Sequence, residues 1–144
     1  MKTGRDRPYL GTRVKLNEKE FGEYEWLSFG EVETLAQKVA RGIKRLELSV
    51  ETEGDGRTLH FVGIWAKNRY EWLVTHLANM YYSMTSIGFF DSMGFQAVDF
   101  ILNQTELSCI FTTPEYISKI ITMKKDGLAK NVKFLVSYDE PTED

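Results

Sequence analysis

The chain has 144 residues, of which 42% are hydrophobic and 27% are charged. These values are typical of one globular unit with a single core, and they exclude two full domains. The formal net charge of -3 arises from acids and bases mixed along the chain, so nucleic acid is not an expected partner. No apolar run approaches the roughly 20 residues that cross a bilayer, and residues 1–8 lack the apolar core of a secretory signal.

Both ends of the chain are poor in apolar residues. We predict a flexible tail at residues 1–7 and an acidic tail at residues 139–144, because nothing apolar in them offsets the entropy lost on ordering. The predicted folded unit is therefore residues 8–138.

The first predicted elements are a β-hairpin and a helix. The stretches Thr12–Leu16 and Tyr24–Ser28 are short, partly alternating and rich in β-prone side chains. Ser28 stands three residues before Glu31, which is the spacing of a capping box and predicts a helix start. Apolar residues then recur at helical spacing to about Glu47. The predicted inward stripe is Val32, Leu35, Ala36, Val39, Ile43 and Leu46.

Strands and helices alternate in the rest of the chain. The acid- and glycine-rich stretch Glu51–Gly56 is predicted to be a turn, and the apolar run Leu59–Ala66 a central strand covered on both faces. Further strands are predicted at Thr85–Phe90, Leu107–Thr112 and Val132–Val136. This alternation predicts an α/β fold, with a partial parallel sheet and flanking helices preceded by the hairpin.

Three helices are predicted between these strands. Asn68 is placed at the cap of the first helix, with Glu71 at its third position. The last helix is predicted to begin with Thr113 as N-cap and Pro114 as first residue, and to stop at Gly127. The predicted inward residues are Trp72, Leu73, His76, Leu77 and Met80 in the first helix, Ala97, Val98, Ile101 and Leu102 in the second, and Ile117, Ile120 and Ile121 in the third.

Few residues are candidates for chemistry, and no catalytic, cofactor-binding or metal-binding residue is assigned. Cys109 is the single cysteine and lies in an apolar run, where a thiol packs as a hydrophobe. A reducing, intracellular compartment fits this pattern. His60 and His76 lie inside predicted elements and have no second histidine or cysteine at ligand spacing, so a metal role is not expected.

One segment lies where a ligand site is expected. Gly88–Gly94 stands where a predicted strand ends and a helix begins, the edge at which open parallel sheets bind ligands. Helix capping by Asp91 or Ser92 and a turn at Gly94 account for the same residues, and this structural role is preferred. The glycines at 54–56 lack the Lys-Ser/Thr ending of a phosphate loop and are expected to form a turn.

Several segments, in order, resemble one known family. They are Pro8–Arg13, Tyr24–Phe29, Asn68–Trp72, Phe90–Gly94 and Glu106–Ser108. Their order and spacing resemble the amino-terminal part of long-chain fatty-acyl-CoA synthetases, in the superfamily of AMP-forming adenylating enzymes. The resemblance covers about residues 8–138, and it implies the fold of the amino-terminal domain of those enzymes.

The resemblance implies a two-step reaction for the whole enzyme. A fatty acid carboxylate attacks the α-phosphate of ATP to form an acyl-adenylate, and the thiol of coenzyme A then displaces AMP. ATP, Mg²⁺ and coenzyme A are therefore implied for the parent family, which is often found at organelle membranes, and no cofactor is assigned to this chain. The family's phosphate loop and catalytic motifs are expected beyond Asp144. We thus expect a structural portion that is not catalytic by itself, partnered by the remainder of the synthetase or by other chains.

Two positions depart from the family's pattern. Tyr70 stands where proline is common in Asn-Arg-Pro-Glu-Trp, and Gly88 stands at the proline of a Pro-Leu-Tyr-Asp pattern. An alternative is therefore a non-catalytic relative, retained as a structural subunit of a larger assembly. A third interpretation is an unrelated small α/β binding module.

Overall fold

The chain begins with an antiparallel hairpin that leads directly into a capped helix. The computed structural model describes residues 4–17, 19–54 and 56–140. Strands β1 (Pro8–Lys15) and β2 (Phe21–Ser28) pair antiparallel, and helix α1 (Phe29–Arg45) follows. Ser28 Oγ accepts from the Glu31 N–H, and the Glu31 carboxylate accepts from the Ser28 N–H at 2.7 Å. The predicted hairpin and capping box are both confirmed.

The remaining elements build a five-stranded sheet. Their bounds are β3 (Glu51–Gly54), β4 (Arg57–Trp65), α2 (Tyr70–Met80), β5 (Thr85–Gly88), α3 (Phe95–Gln104), β6 (Cys109–Thr112), α4 (Pro114–Lys125) and β7 (Phe134–Ser137). Gly63 and Ile64 of β4 pair in parallel with both β5 and β6, so these two strands flank β4. Strand β7 pairs in parallel with β6. The predicted α/β class and the central position of β4 are confirmed.

Apolar clusters cover both faces of the sheet. Ile110 and Trp65 pack with residues of α3 and α4, whereas Cys109 and Phe111 pack with Ile43 of α1. Because successive side chains of a strand point to opposite faces, these two clusters lie on opposite sides of β6. A third cluster joins α1, α2 and the hairpin. Helices α3 and α4 therefore cover one face, while α1 and α2 pack together on the other.

The predicted turn at Glu51–Gly56 is wrong over most of its length. Glu51–Gly54 is strand β3, which pairs antiparallel with the first residues of β4. Gly56 has a φ of 68°, so the chain reverses within a few residues. The sequence did not indicate this strand because Glu51 and Glu53 resemble turn residues. In the structure both are exposed, while Thr52 between them is buried. The sheet is mixed rather than wholly parallel, and Asp55 lies outside the described residues.

Helix α2 buries a different face from the one predicted. Its buried residues are Val74, Thr75, Ala78 and Asn79. Four members of the predicted stripe are half-buried, and Met80 is 59% exposed. Thr75 can be buried because its hydroxyl lies 2.8 Å from the Tyr138 hydroxyl, and Asn79 because its amide donates to Ser86 Oγ at 2.8 Å. Hydrogen bonds to other elements therefore bring Thr75 and Asn79 into the buried face, which polarity alone does not predict.

Other elements match in place and differ in detail. Helix α1 ends at Arg45, so Leu46 leaves the stripe and is 64% exposed. In α4, Tyr116 and Met123 join Ile120 in the core while Ile121 is 45% exposed. Strand β5 ends at Gly88, two residues earlier than predicted, because the chain turns after the strand. The exposed Ala97 of α3 also lies outside the core.

The two predicted tails make contacts in their described parts. Arg5 forms an ion pair with Glu33 at 2.7 Å, and Asp139 forms one with Arg69 at 2.7 Å. Residues 1–3 and 141–144 of those tails lie outside the described residues. The domain bounds at residues 8 and 138 stay a prediction.

Replacing either of two glycines in regular elements by alanine should change the stability of the fold, with opposite signs. A Cβ on Gly63 would lie 2.6 Å from Leu107 Cδ2 and 3.2 Å from the Cys109 carbonyl oxygen, whereas a Cβ on Gly42 of α1 would meet nothing within 4 Å. We expect Gly63→Ala to lower the free energy of unfolding by about 1–3 kcal/mol. Gly42→Ala should raise it by about 0.5–1 kcal/mol, since alanine favours a helix interior. Urea unfolding followed by circular dichroism measures both, and a neutral Gly63→Ala would contradict the tight packing of β4.

Candidate functional site

The candidate site is a groove at the carboxyl-terminal edge of the parallel strands. It measures about 960 Å³ and lies between the hairpin and the segments that follow β4, β6 and β7. The hairpin contributes Arg13 and Tyr24, the segment after β4 contributes residues 67–71, the start of α4 contributes residues 113–116, and Asp139 follows β7. Open parallel sheets bind ligands at this edge.

Arg69 is the most connected charged residue of the groove. Its guanidinium donates two hydrogen bonds to the carboxylate of Glu71, both at 2.8 Å, and two to that of Asp139, at 2.7 and 2.8 Å. The guanidinium carbon lies 5.4 Å from the centre of the Tyr138 ring. Since arginine has five N–H donors, these four bonds leave little capacity for a ligand.

The start of α2 also differs from the prediction. Arg69, not Asn68, is the N-cap residue, and its side chain makes no capping hydrogen bond to the backbone of the helix. Glu71 is turned toward the guanidinium and does not close a capping box. Sequence reasoning missed the Arg69 cluster, although an arginine directly before a helix start was an available signal.

Charge and burial shift two groups beside Arg69. Hydrogen bonds to Glu71 and Asp139 raise the pKa of Arg69, and the bonds from Arg69 lower the pKa of Asp139. Burial raises the pKa of the Tyr138 hydroxyl. That hydroxyl therefore remains protonated at neutral pH and shares a hydrogen bond with Thr75.

Two aromatic rings pack against Trp65, the last residue of β4. The Trp65 ring lies between Phe89 and Tyr116, with centroid distances of 5.6 and 5.2 Å. Trp65 and Tyr116 are each 1% exposed. The Tyr116 hydroxyl donates to the Asp91 carboxylate. The rings fill this part of the sheet edge and connect the loop after β5 to α4.

The segment Gly88–Gly94 lies at the sheet edge as its sequence predicted. Gly94 is the N-cap residue of α3, so the prediction of capping by Asp91 or Ser92 is wrong. Asp91 instead accepts the hydrogen bond from Tyr116, and Phe89 is 4% exposed in the core. These two contacts give the segment a structural role.

The remaining candidates for chemistry are held by packing or hydrogen bonds. His76 Nδ1 lies 3.0 Å from Ser86 Oγ. Cys109 is fully buried, which confirms its place in the core, and burial raises the pKa of its thiol to about 12. Among the described residues, no group of three metal-ligating side chains is arranged around a common point. Over those same residues, no helix is long and apolar enough to cross a bilayer.

Comparison with known proteins identifies the family. The sequence model described as AMP-binding enzyme matches residues 3–144. The chain belongs to the AMP-binding enzyme family. Long-chain-fatty-acid–CoA ligase 1 of Cavia porcellus is 32% identical over 133 residues, which are 92% of this chain and 18% of that protein. Peroxisomal acyl-CoA ligase 891 of Penicillium roqueforti is 31% identical with the same coverage, and long chain acyl-CoA synthetase 2 of Arabidopsis thaliana is 30% identical over 131 residues.

This member of the AMP-binding enzyme family therefore corresponds to a small part of its curated relatives. It spans 18% of the length of the three proteins above. The predicted resemblance to the amino-terminal segment of a long-chain fatty-acyl-CoA synthetase is confirmed, and an unrelated α/β binding module is excluded by the family match.

Solved structures show the same fold at low sequence identity. The A domain of carboxylic acid reductase from Segniliparus rugosus, solved with AMP and a co-purified carboxylic acid, aligns with a TM-score of 0.74 at 15% identity. The alignment covers 96% of this chain and 22% of that one. The adenylation domain of the Mycobacterium chelonae carboxylate reductase gives a TM-score of 0.72 at 20% identity, covering 93% and 21%. The predicted likeness to the amino-terminal domain of adenylating enzymes is confirmed for the fold.

The Arg69 cluster should make part of the stability depend on acid pH. A carboxyl whose pKa is lower in the folded state stabilises the fold above its unfolded pKa, here near 3.8, and loses that effect as pH falls through the folded value. We expect Asp139→Asn to lower the free energy of unfolding near neutral pH by at most about 1 kcal/mol, because the carboxylate is 47% exposed. The difference from the parent should shrink below pH 3.8. Urea unfolding across this pH range tests it, and a difference that grows toward acid would refute it.

Proposed function

We propose that this chain is the amino-terminal structural portion of a long-chain fatty acid–CoA ligase and does not catalyse the reaction by itself. One observation carries the proposal: the similarity to the Cavia porcellus ligase extends over 92% of this chain but 18% of that protein. The parent reaction would activate a fatty acid through an acyl-adenylate and transfer the acyl group to coenzyme A. Relatives named as peroxisomal support an intracellular, organelle-associated parent.

The charges of the groove support a scaffold role. Adenylation requires cations and N–H donors directed at the triphosphate and at developing charge. Arg69 is bonded to two carboxylates, Lys67 lies 3.7 Å from Glu115, and Arg13 donates to the carbonyls of the hairpin. These three of the groove's four lining cations serve contacts within the chain. On this proposal, ATP, Mg²⁺ and coenzyme A are bound by other parts of the ligase.

Exposed aromatic residues support a role within a larger protein. On the hairpin, Trp26 is 56% exposed and Tyr24 is 54% exposed, and their rings lie 5.7 Å apart. Phe90, after β5, is 70% exposed. Contiguous exposed apolar surface commonly marks contact with other protein. The remainder of the ligase is the expected cover.

The same surface also fits a second function, that of a non-catalytic subunit derived from an acyl-CoA synthetase. Tyr70 and Gly88, which replace prolines of the family's pattern, favour a divergent relative. In that case other chains of an assembly would cover the hairpin. The two proposals differ in the length of the native polypeptide.

An activity assay tests the absence of catalysis directly. We expect the purified chain to release no AMP and form no palmitoyl-CoA from ATP, Mg²⁺, palmitate and coenzyme A, because the required electrostatic groups lie elsewhere on this proposal. Mass spectrometry quantifies both products, and an intact long-chain fatty acid–CoA ligase serves as the positive control. A saturable, magnesium-dependent yield of palmitoyl-CoA would refute the proposal.

A further inference from the structure

Arg69 occupies a position at which its charge opposes the helix it begins. The N-terminus of a helix carries partial positive charge, and the N-cap position favours Ser, Thr, Asp and Asn. The Arg69 side chain makes no capping hydrogen bond to the backbone of α2. Arg69 therefore does not stabilise α2 as an N-cap residue, and its role lies in the contacts of its guanidinium.

Those contacts connect the start of α2 to the end of β7. The guanidinium is bonded through two N–H donors to Glu71, on the first turn of α2, and through two to Asp139, just past β7. The side chains of Arg69 and Glu71 are 26% and 22% exposed, so solvent screens this pair less than a surface pair. In the sheet, β6 separates β4 from β7. Arg69 thus bridges strands about 10 Å apart.

The segment that leaves β7 is fixed at each successive residue. The Ser137 hydroxyl donates to the Asp139 carbonyl at 2.6 Å. The Tyr138 N–H donates to the Thr112 carbonyl at 2.8 Å, and the Tyr138 ring packs 6.1 Å from that of Phe111. Asp139 is the last residue in this series, and its carboxylate is held by Arg69 alone in the described part of the chain.

We propose that Arg69 is a positioning residue that clamps the exit of β7 and sets the direction in which the chain leaves the sheet. Paired bonds from a planar guanidinium fix the orientation of Asp139 as well as its distance. The guanidinium also lies over the Tyr138 ring, 5.4 Å from its centre. This inference concerns contacts within the chain, so it stands or fails independently of the proposed ligase function.

The variant Arg69→Ser distinguishes a role at the end of β7 from a role at the start of α2. It removes the guanidinium but leaves a better N-cap residue, because serine is preferred to arginine at that position. We expect this variant to speed hydrogen exchange at the Tyr138 amide by about tenfold, because the charge-assisted bonds to Asp139 are lost. The amides of α2 should keep or gain protection. Amides of β4 should change by at most about fivefold, the bound that corresponds to the stability loss expected for Asp139→Asn. Hydrogen exchange of the full chain, read by mass spectrometry with fragmentation, gives these values.

Three further variants complete the test. Asp139→Asn leaves the start of α2 untouched and should speed Tyr138 exchange to a similar extent, with no further effect when combined with Arg69→Ser. Lys67→Ser removes the exposed pair with Glu115 in the same groove and should leave Tyr138 unchanged. Arg69→Lys retains charge without the paired geometry and should give an intermediate rate. Unchanged Tyr138 exchange in Arg69→Ser and Asp139→Asn, or equal loosening of α2 and β7, would overturn the proposal.

Discussion

The fold depends on one constraint: strand β4 is paired on both edges and covered on both faces. Val62 and Ile64 are fully buried, and Gly63 between them has no room for a Cβ because Leu107 and Ile110 pack against it. From β4 the chain crosses to β5 on one edge and then returns past β4 to β6 on the other. Since parallel crossovers are right-handed, this reversal places α2 and α3 on opposite faces. The groove follows from the same arrangement, because all parallel strands end at one edge.

Elements specified by local sequence could be predicted, and those specified by distant contacts could not. The capping box at Ser28 and Glu31 and the apolar run of β4 are visible within a few residues. The burial of Asn79 in α2 and of Thr52 in β3 could not be predicted. Asn79 bonds to Ser86 and Thr52 to the Thr105 carbonyl, and both partners lie outside the element concerned. A polar residue looks exposed in a sequence until its hydrogen-bond partner is known.

The candidate site shows the same division. The sheet edge and the segment Gly88–Gly94 were placed correctly, because strand ends can be located from apolar runs. The link between Arg69 and Asp139 spans 70 residues and has no spacing signal. Asp139 falls in the predicted acidic tail, since composition alone favours disorder there. The hydrogen bonds between Arg69 and Asp139, which connect two sides of the groove, could therefore not be predicted from residue spacing.

Family membership and groove chemistry together support a scaffold role. The fold is that of adenylating enzymes, and relatives include long-chain acyl-CoA ligases. Three of the four cations that line the groove are engaged by the chain's own carboxylates and carbonyls: Arg13, Lys67 and Arg69. On the proposed scaffold role, the exposed aromatic rings of Tyr24 and Trp26 on the hairpin would contact further protein.

We propose that this sequence works as one part of a longer ligase polypeptide. The direct measurement is the mass of the native polypeptide that contains it, captured by an antibody against the exposed hairpin and identified by peptide sequencing. The account predicts a chain several times heavier than 16.7 kDa, whose additional peptides include a Ser/Thr-Gly-rich phosphate loop. A native polypeptide of 16.7 kDa, stably bound to other chains, would contradict it and establish a separate structural subunit.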